Sequence, residues 1–216
     1  MQIARKSVRT AALAAGVLLS LTMSSWAHPH VWVTVETTVL HDKGNFTGLQ
    51  HRWTFDEAYT ATAIEGLDKS HDGVYGREEL AELAKVNVDG LKEFGYFTYP
   101  MLAGEAVMLG EARDYWLEHK NGILSLTFTV PFAQPMAAKP TEDLTILILD
   151  PTYFIAFELA KTNPVRLAEG TPKSCKVTIA DLEEGSDEAH RLSKAFAQLG
   201  PDLGYTQTAS IGCGGP

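Results

Sequence analysis

Long hydrophobic runs are nearly missing from this chain. Past residue 23 no apolar stretch approaches the roughly 20 residues a helix needs to cross a bilayer, so no membrane span is expected beyond the N-terminus. Cysteine is scarce, with only Cys175 and Cys213 present. Outside the cytoplasm an even pair most simply means one disulfide, here tying the tail "IGCGGP" to the strand around Cys175. A pair of thiolate metal ligands is the competing reading. Positive charge is also short: 18 Lys and Arg stand against 27 Asp and Glu, for a net charge of −9. Such a balance argues against nucleic acid or anionic lipid as a partner and suits the attraction of cations. The chain carries no G-x-S-x-G, no H-E-x-x-H and no phosphate-binding glycine loop, nor internal repeats or low-complexity segments. These absences, together with carboxylates that are simply common here, point away from an enzyme.

The N-terminus supplies the one apolar stretch. Arg5, Lys6 and Arg9 precede "AALAAGVLLSLTM" (11–23), and "SSWA" places Ser25 and Ala27 where a signal peptidase reads small residues. Residues 1–27 are therefore expected to be a signal peptide, with a membrane anchor as the alternative. Removing 27 of the 216 residues leaves 189 in a single exported domain, 28–216. Three basic residues and no acidic one leave with the leader, which takes the net charge to about −12.

The mature region reads as α+β. "VWVTVETTVL" alternates apolar and polar residues as a strand does, and "TGLQHRWTF" returns after the turn "HDKGNF". The period then changes: Phe55, Tyr59, Ala63 and Leu67 are spaced for one helix face, with Thr54 and Glu57 at capping-box spacing. "GREELAELAKVNVDGLKEF" repeats helical spacing through Leu80, Leu83, Leu91 and Phe94. Short β-rich runs follow from residue 96, with Asn-Gly at the tip of a hairpin turn in "EHKNG", and "SCKVTIADL" is a late strand. "SDEAHRLSKAFAQL" is an amphipathic helix capped by Ser186. The expected architecture is an antiparallel, sandwich-like β domain with a helix–loop–helix inserted at about 54–95 and a C-terminal helix.

Between the two inserted helices lies "LDKSHDGVYGREEL" (67–80), which scans as an EF-hand loop. Such a loop offers oxygen ligands at positions 1, 3, 5, 7, 9 and 12 and glycine at position 6. Here these are Asp68, Ser70, Asp72, the Val74 carbonyl, Gly76 (where a water would serve) and Glu79, with Gly73 at the sharp turn. With only three carboxylates, His71 able to add positive charge beside the ion and no second loop to pair with, the expected Ca²⁺ affinity is weak, on the order of 10⁻⁴–10⁻³ M. That suits a structural ion better than a sensor; the alternative is an acidic turn that holds no ion.

The mature chain would open "HPHVWV", giving His28 a free amine beside its imidazole and placing His30 on the same face of an extended segment. Imidazole pairs of this kind bind Zn²⁺, Ni²⁺ or Cu²⁺. Pro29 lacks an N–H, so the square-planar mode through successive backbone amides is blocked. A further ligand is needed, and His51 in "QHRWTFDE" is the first candidate. The alternative is a frayed terminus that binds nothing.

Four segments in this order, "HPHVWV", "RWTFDEAYT" (52–60), "LDKSHDG" (67–73) and "GYFTYP" (95–100), resemble the bacterial family catalogued as domain of unknown function 1007. Its members are commonly described as periplasmic components of an uncharacterised ABC-type transport system and are often encoded near nickel, cobalt or zinc transport proteins. The resemblance thus implies a periplasmic protein that handles Zn, Ni or Co for a membrane transporter or permease. Ser70 and Gly76 depart from the richest loops of the family, which points again to weak calcium binding. The competing expectation is a calcium-stabilised interaction module with no transition-metal role.

Overall fold

A computed structural model describes residues 29–199, 203 and 206–214, so the expected signal peptide and His28 lie outside the described residues. The elements in chain order are β1 (Val31–Asp42), β2 (Asn45–Phe55), α1 (Glu57–Ala63), α2 (Ala81–Glu93), β3 (Thr98–Leu102), β4 (Glu105–Ala106), β5 (Arg113–Lys120) and β6 (Ile123–Ala137). There follow β7 (Leu144–Ile148), β8 (Ile155–Leu159), β9 (Val165–Leu167), β10 (Lys176–Leu182), α3 (Asp187–Ala195) and β11 (Thr206–Gly212). They form an α+β sandwich. One sheet runs β5-β6-β2-β1-β8 with β9 also on β1, and the other runs β10-β11-β7-β3-β4.

The period-2 pattern of β1 explains its place. Val31, Val33, Val35, Thr37 and Val39 are buried between the sheets, while Trp32 and Thr34 face out. β2 pairs with it antiparallel from Val33↔Phe55 to Asp42↔Asn45 across the expected turn. The other edge of β1 is parallel, with β8 along Val31–Val35 and β9 along Thr37–Val39. Pro164, which has no N–H to donate, sits in the break between them and contributes its carbonyl to the Thr37 amide at 2.7 Å.

β7 is buried along its whole length because it is covered twice. Leu144, Ile146 and Ile148 face the inter-sheet core, whereas Leu147 joins Tyr99, Met101 and Leu192 in a smaller core beneath α3. Ser186 caps that helix by accepting from the Ala189 amide at 3.2 Å, as expected. The α1 cap differs from expectation. β2 continues through Thr54, so Asp56 takes the N-cap place and accepts from the Tyr59 amide at 2.8 Å. The disulfide Cys175–Cys213 is present and clasps the end of the β10–β11 pair, where Lys176 lies opposite Gly212. Asn121 and Gly122, at φ 55° and 77°, make the expected tight turn between β5 and β6.

Gly48 lies at a bulge in β2, and a Cβ there would stand 2.6 Å from the Val130 carbonyl oxygen and 2.8 Å from Pro131 Cα. Both are backbone atoms and cannot swing away. Gly48→Ala should cost about 1–3 kcal/mol, read as a lower urea midpoint with an unchanged slope; an unchanged midpoint would show that the strands can spread here.

Candidate functional site

The loop between α1 and α2 closes on its own carboxylates. Asp68 accepts from the amides of Asp72 at 3.2 Å and Gly73 at 3.0 Å, and from the Ser70 hydroxyl at 3.3 Å. Glu79 accepts from the amides of Lys69 and Ser70 with Oε1 and from that of Gly76 with Oε2, each at 3.0 Å. Asp72 accepts from the Val74 amide at 2.8 Å. Gly73 adopts φ +77°, the left-handed turn that position 6 demands. The Gly73 amide foremost holds the Asp68 carboxyl below its usual range, and the Gly76 amide does the same for Glu79. Both acids are thus kept ionised by the loop itself.

The donor set fits a hard cation: side-chain oxygens of Asp68, Ser70, Asp72 and Glu79 plus the Val74 carbonyl, with no nitrogen or sulfur among them. In their present arrangement the acids turn to loop amides. Among the described residues no group of three His, Cys, Asp or Glu side chains converges as a metal would require.

Beyond the loop's turn, Tyr75 and Arg77 reach the edge strand β5. The Tyr75 ring meets His119 edge-on at 4.8 Å, and the Arg77 guanidinium lies 4.7 Å over the Trp116 ring, 3.6 Å from Glu118. Below, Leu80 is fully buried, and the Tyr59 hydroxyl donates to Asn87 Oδ1 at 3.1 Å, joining α1 to α2. Through these side chains the loop rests against the edge strand β5.

The histidines part company. His30 is exposed just before β1, its ring 4.9 Å from that of Phe154. His51 is fully buried between the sheets, opposite Thr37, seven residues along the chain from His30. At about 3.3 Å per strand residue that places the two roughly 20 Å apart, so His51 does not join His30 in one site. Its ring nitrogens are also engaged. The Thr98 hydroxyl donates to the Tyr96 carbonyl at 2.8 Å and so accepts from His51 Nε2 at 3.4 Å. Nδ1 is then left to accept from the Thr37 hydroxyl at 3.0 Å. No lone pair is spare for a metal. The sequence suggested a ligand because β2 alternation alone does not say which face holds the core polar residue.

A concave region of about 650 Å³ lies on the outer face of the first sheet beside the loop, between Arg52, Thr54, Tyr75, Arg77, Lys120 and Ser125. It left no trace in residue order, since its residues come from β2, β5, β6 and the loop, far apart along the chain. Residues 13–213 match the model of a protein family of unknown function, DUF1007. The chain belongs to the DUF1007 family. An uncharacterized protein of Haemophilus influenzae is 23% identical over 213 residues, covering 95% of this chain and all of that protein. The resemblance read in the four segments is therefore correct at the level of the family.

Burial disfavours the charged form of His51 and pushes its pKa from 6.5 down to about 3. Unfolded chains take up the proton first, so stability from this group is full above pH 6.5 and is lost as pH falls toward 3. His51→Gln should flatten the pH dependence of urea-denaturation free energy between pH 6.5 and 4 by about 1.4 kcal/mol per unit at its steepest. Parallel curves for the two proteins would mean that His51 becomes charged without cost.

Proposed function

We propose that this chain is an exported docking module that serves a membrane partner, with one weakly held calcium ion bracing its helix–loop–helix, and that it catalyses no reaction. The observation that carries this is the loop geometry: Glu79 is bonded back to residues 69, 70 and 76, with Gly73 in the required left-handed turn. An ion held by Asp68, Ser70, Asp72, Val74 and Glu79 would join the end of α1 to the start of α2 and hold Tyr75 and Arg77 against β5. The Cys175–Cys213 disulfide supports an oxidising compartment, secreted or periplasmic. Among the described residues no helix is long and apolar enough to cross a membrane.

A second reading keeps the transition metal. His30 is exposed at the head of β1, two residues after His28 and the expected cleavage site. The pair would capture Zn²⁺, Ni²⁺ or Cu²⁺ at the chain terminus, with the free amine of His28 in place of His51, for hand-over to a membrane metal transporter or permease. This reading needs no third histidine from the fold.

Two measurements separate them. With a Kd of 10⁻⁴–10⁻³ M, 10 mM Ca²⁺ should stabilise the fold by about 1.4–2.7 kcal/mol, raising Tm by roughly 3–10 °C. Glu79→Gln should abolish the rise, and an equal rise in the variant would contradict the calcium brace. In calorimetric titration of protein starting at His28, micromolar Zn²⁺ or Ni²⁺ binding lost on His28→Ala/His30→Ala would establish the second reading. No binding of Zn²⁺, Ni²⁺ or Cu²⁺ would dismiss it.

A further inference from the structure

We propose that the concave outer face of the first sheet, beside the loop, is a binding site for a small multivalent oxyanion, a carboxylate- or phosphate-bearing molecule held by Arg77, Lys120 and Arg52. This site stands whether or not the loop takes calcium.

Charge distribution is the first argument. In a chain where acids outnumber bases 27 to 18, the groove gathers Arg52, Arg77 and Lys120, with His119 at its rim and Glu118 the one acid in its lining. The surplus negative charge elsewhere is screened beyond about 8 Å at physiological ionic strength, so these nearby cations govern the local field. Its volume of about 650 Å³ lies in the range of small-molecule clefts.

The cations are also available. Arg77 meets Glu118 at 3.6 Å with both side chains well exposed, 62% and 45%, and pairs of that kind are worth little. A ligand carboxylate or phosphate that accepts two parallel N–H bonds is the stronger partner. The Arg77 guanidinium also rests 4.7 Å over the Trp116 ring, a contact that helps hold its position at the groove. Lys120 ends β5 at the Asn121–Gly122 turn and forms no ion pair among the described residues. Arg52 is shared with Glu36 at 3.3 Å, and Arg166 approaches the same Glu36 at 3.7 Å, which leaves that end of the groove positive as well.

The floor supplies neutral donors. The Thr54 and Ser125 hydroxyls lie 3.2 Å apart, Ser125 is buried, and either atom can turn its hydrogen toward a ligand. In the adjoining part of the same face the Trp116 indole N–H is buried with no hydrogen-bond partner.

The test is calorimetric titration of the purified, processed chain with citrate and, separately, inorganic phosphate at low ionic strength. Either probe should bind. Citrate alone identifies a carboxylate site, phosphate alone a phosphate site, and both support the proposal. Arg77→Gln/Lys120→Gln should weaken binding at least about tenfold, Glu118→Gln should strengthen it several-fold, and Lys176→Gln on the opposite sheet should change nothing. If the double variant fails to fold, the Glu118→Gln gain still decides. No binding of either probe at millimolar concentration, or affinities unmoved by both the double variant and Glu118→Gln, would overturn it.

Discussion

The fold depends on β1 being paired along both edges. Its inward residues are four valines and Thr37, so once it is fixed, each neighbour's side chains are assigned to the core or to the surface. β2 follows from a tight turn. β8 and β9 come back parallel, which requires a long connection, and the chain builds the second sheet's β3 and β7 before reaching them. The helix–loop–helix enters directly after β2, so α1 starts where that strand leaves the sheet. Asp56 marks the junction, because its carboxylate caps α1 and also accepts from the Trp32 amide at 2.8 Å.

Two polar devices then divide the work between interior and surface. Inside, His51 links β2 to Thr37 of β1 and to Thr98 of the opposite sheet, a cross-sheet bond set in an otherwise apolar core. Such a group fixes how the sheets face each other only while it stays neutral. Outside, the loop carries its acids inward to its own amides and its Tyr75 and Arg77 outward to β5. One segment thus rests against the edge strand β5 and forms a wall of the cationic groove. Tyr75 and Arg77 join the loop to the groove, which ties the loop's shape to that of the surface beside it.

Much of the architecture was legible from residue order. Alternation in "VWVTVETTVL", the period change after Phe55, Asn-Gly at 121–122 and the Ser186 cap each announce an element whose local chemistry agrees with its place. β11 was not legible: "TQTASIG" has few large apolar residues, and its strand exists because β7 and β10 offer pairing on both sides. β9 is three residues long and leaves no periodic trace. The cap at Asp56 was hidden because Thr54 and Glu57 have the same spacing signature, and only the length of β2 decides between them. Of the candidate site, the loop was readable because its candidate oxygen donors fall within one stretch of twelve residues, 68–79. The groove was not, and His51 misled, because burial is set by partners distant in sequence.

Whether the carboxylates from Asp68 to Glu79 take a hard cation can be read by luminescence. Tyr75 sits at the eighth place of that loop and can sensitise a bound Tb³⁺, which shares calcium's preference for oxygen ligands. Titration with Tb³⁺ while exciting tyrosine tests this binding most directly. If the loop binds as proposed, terbium emission appears, Ca²⁺ displaces it at submillimolar to millimolar concentration, and Glu79→Gln removes it. Emission indifferent to calcium, or equal in the variant, would contradict it.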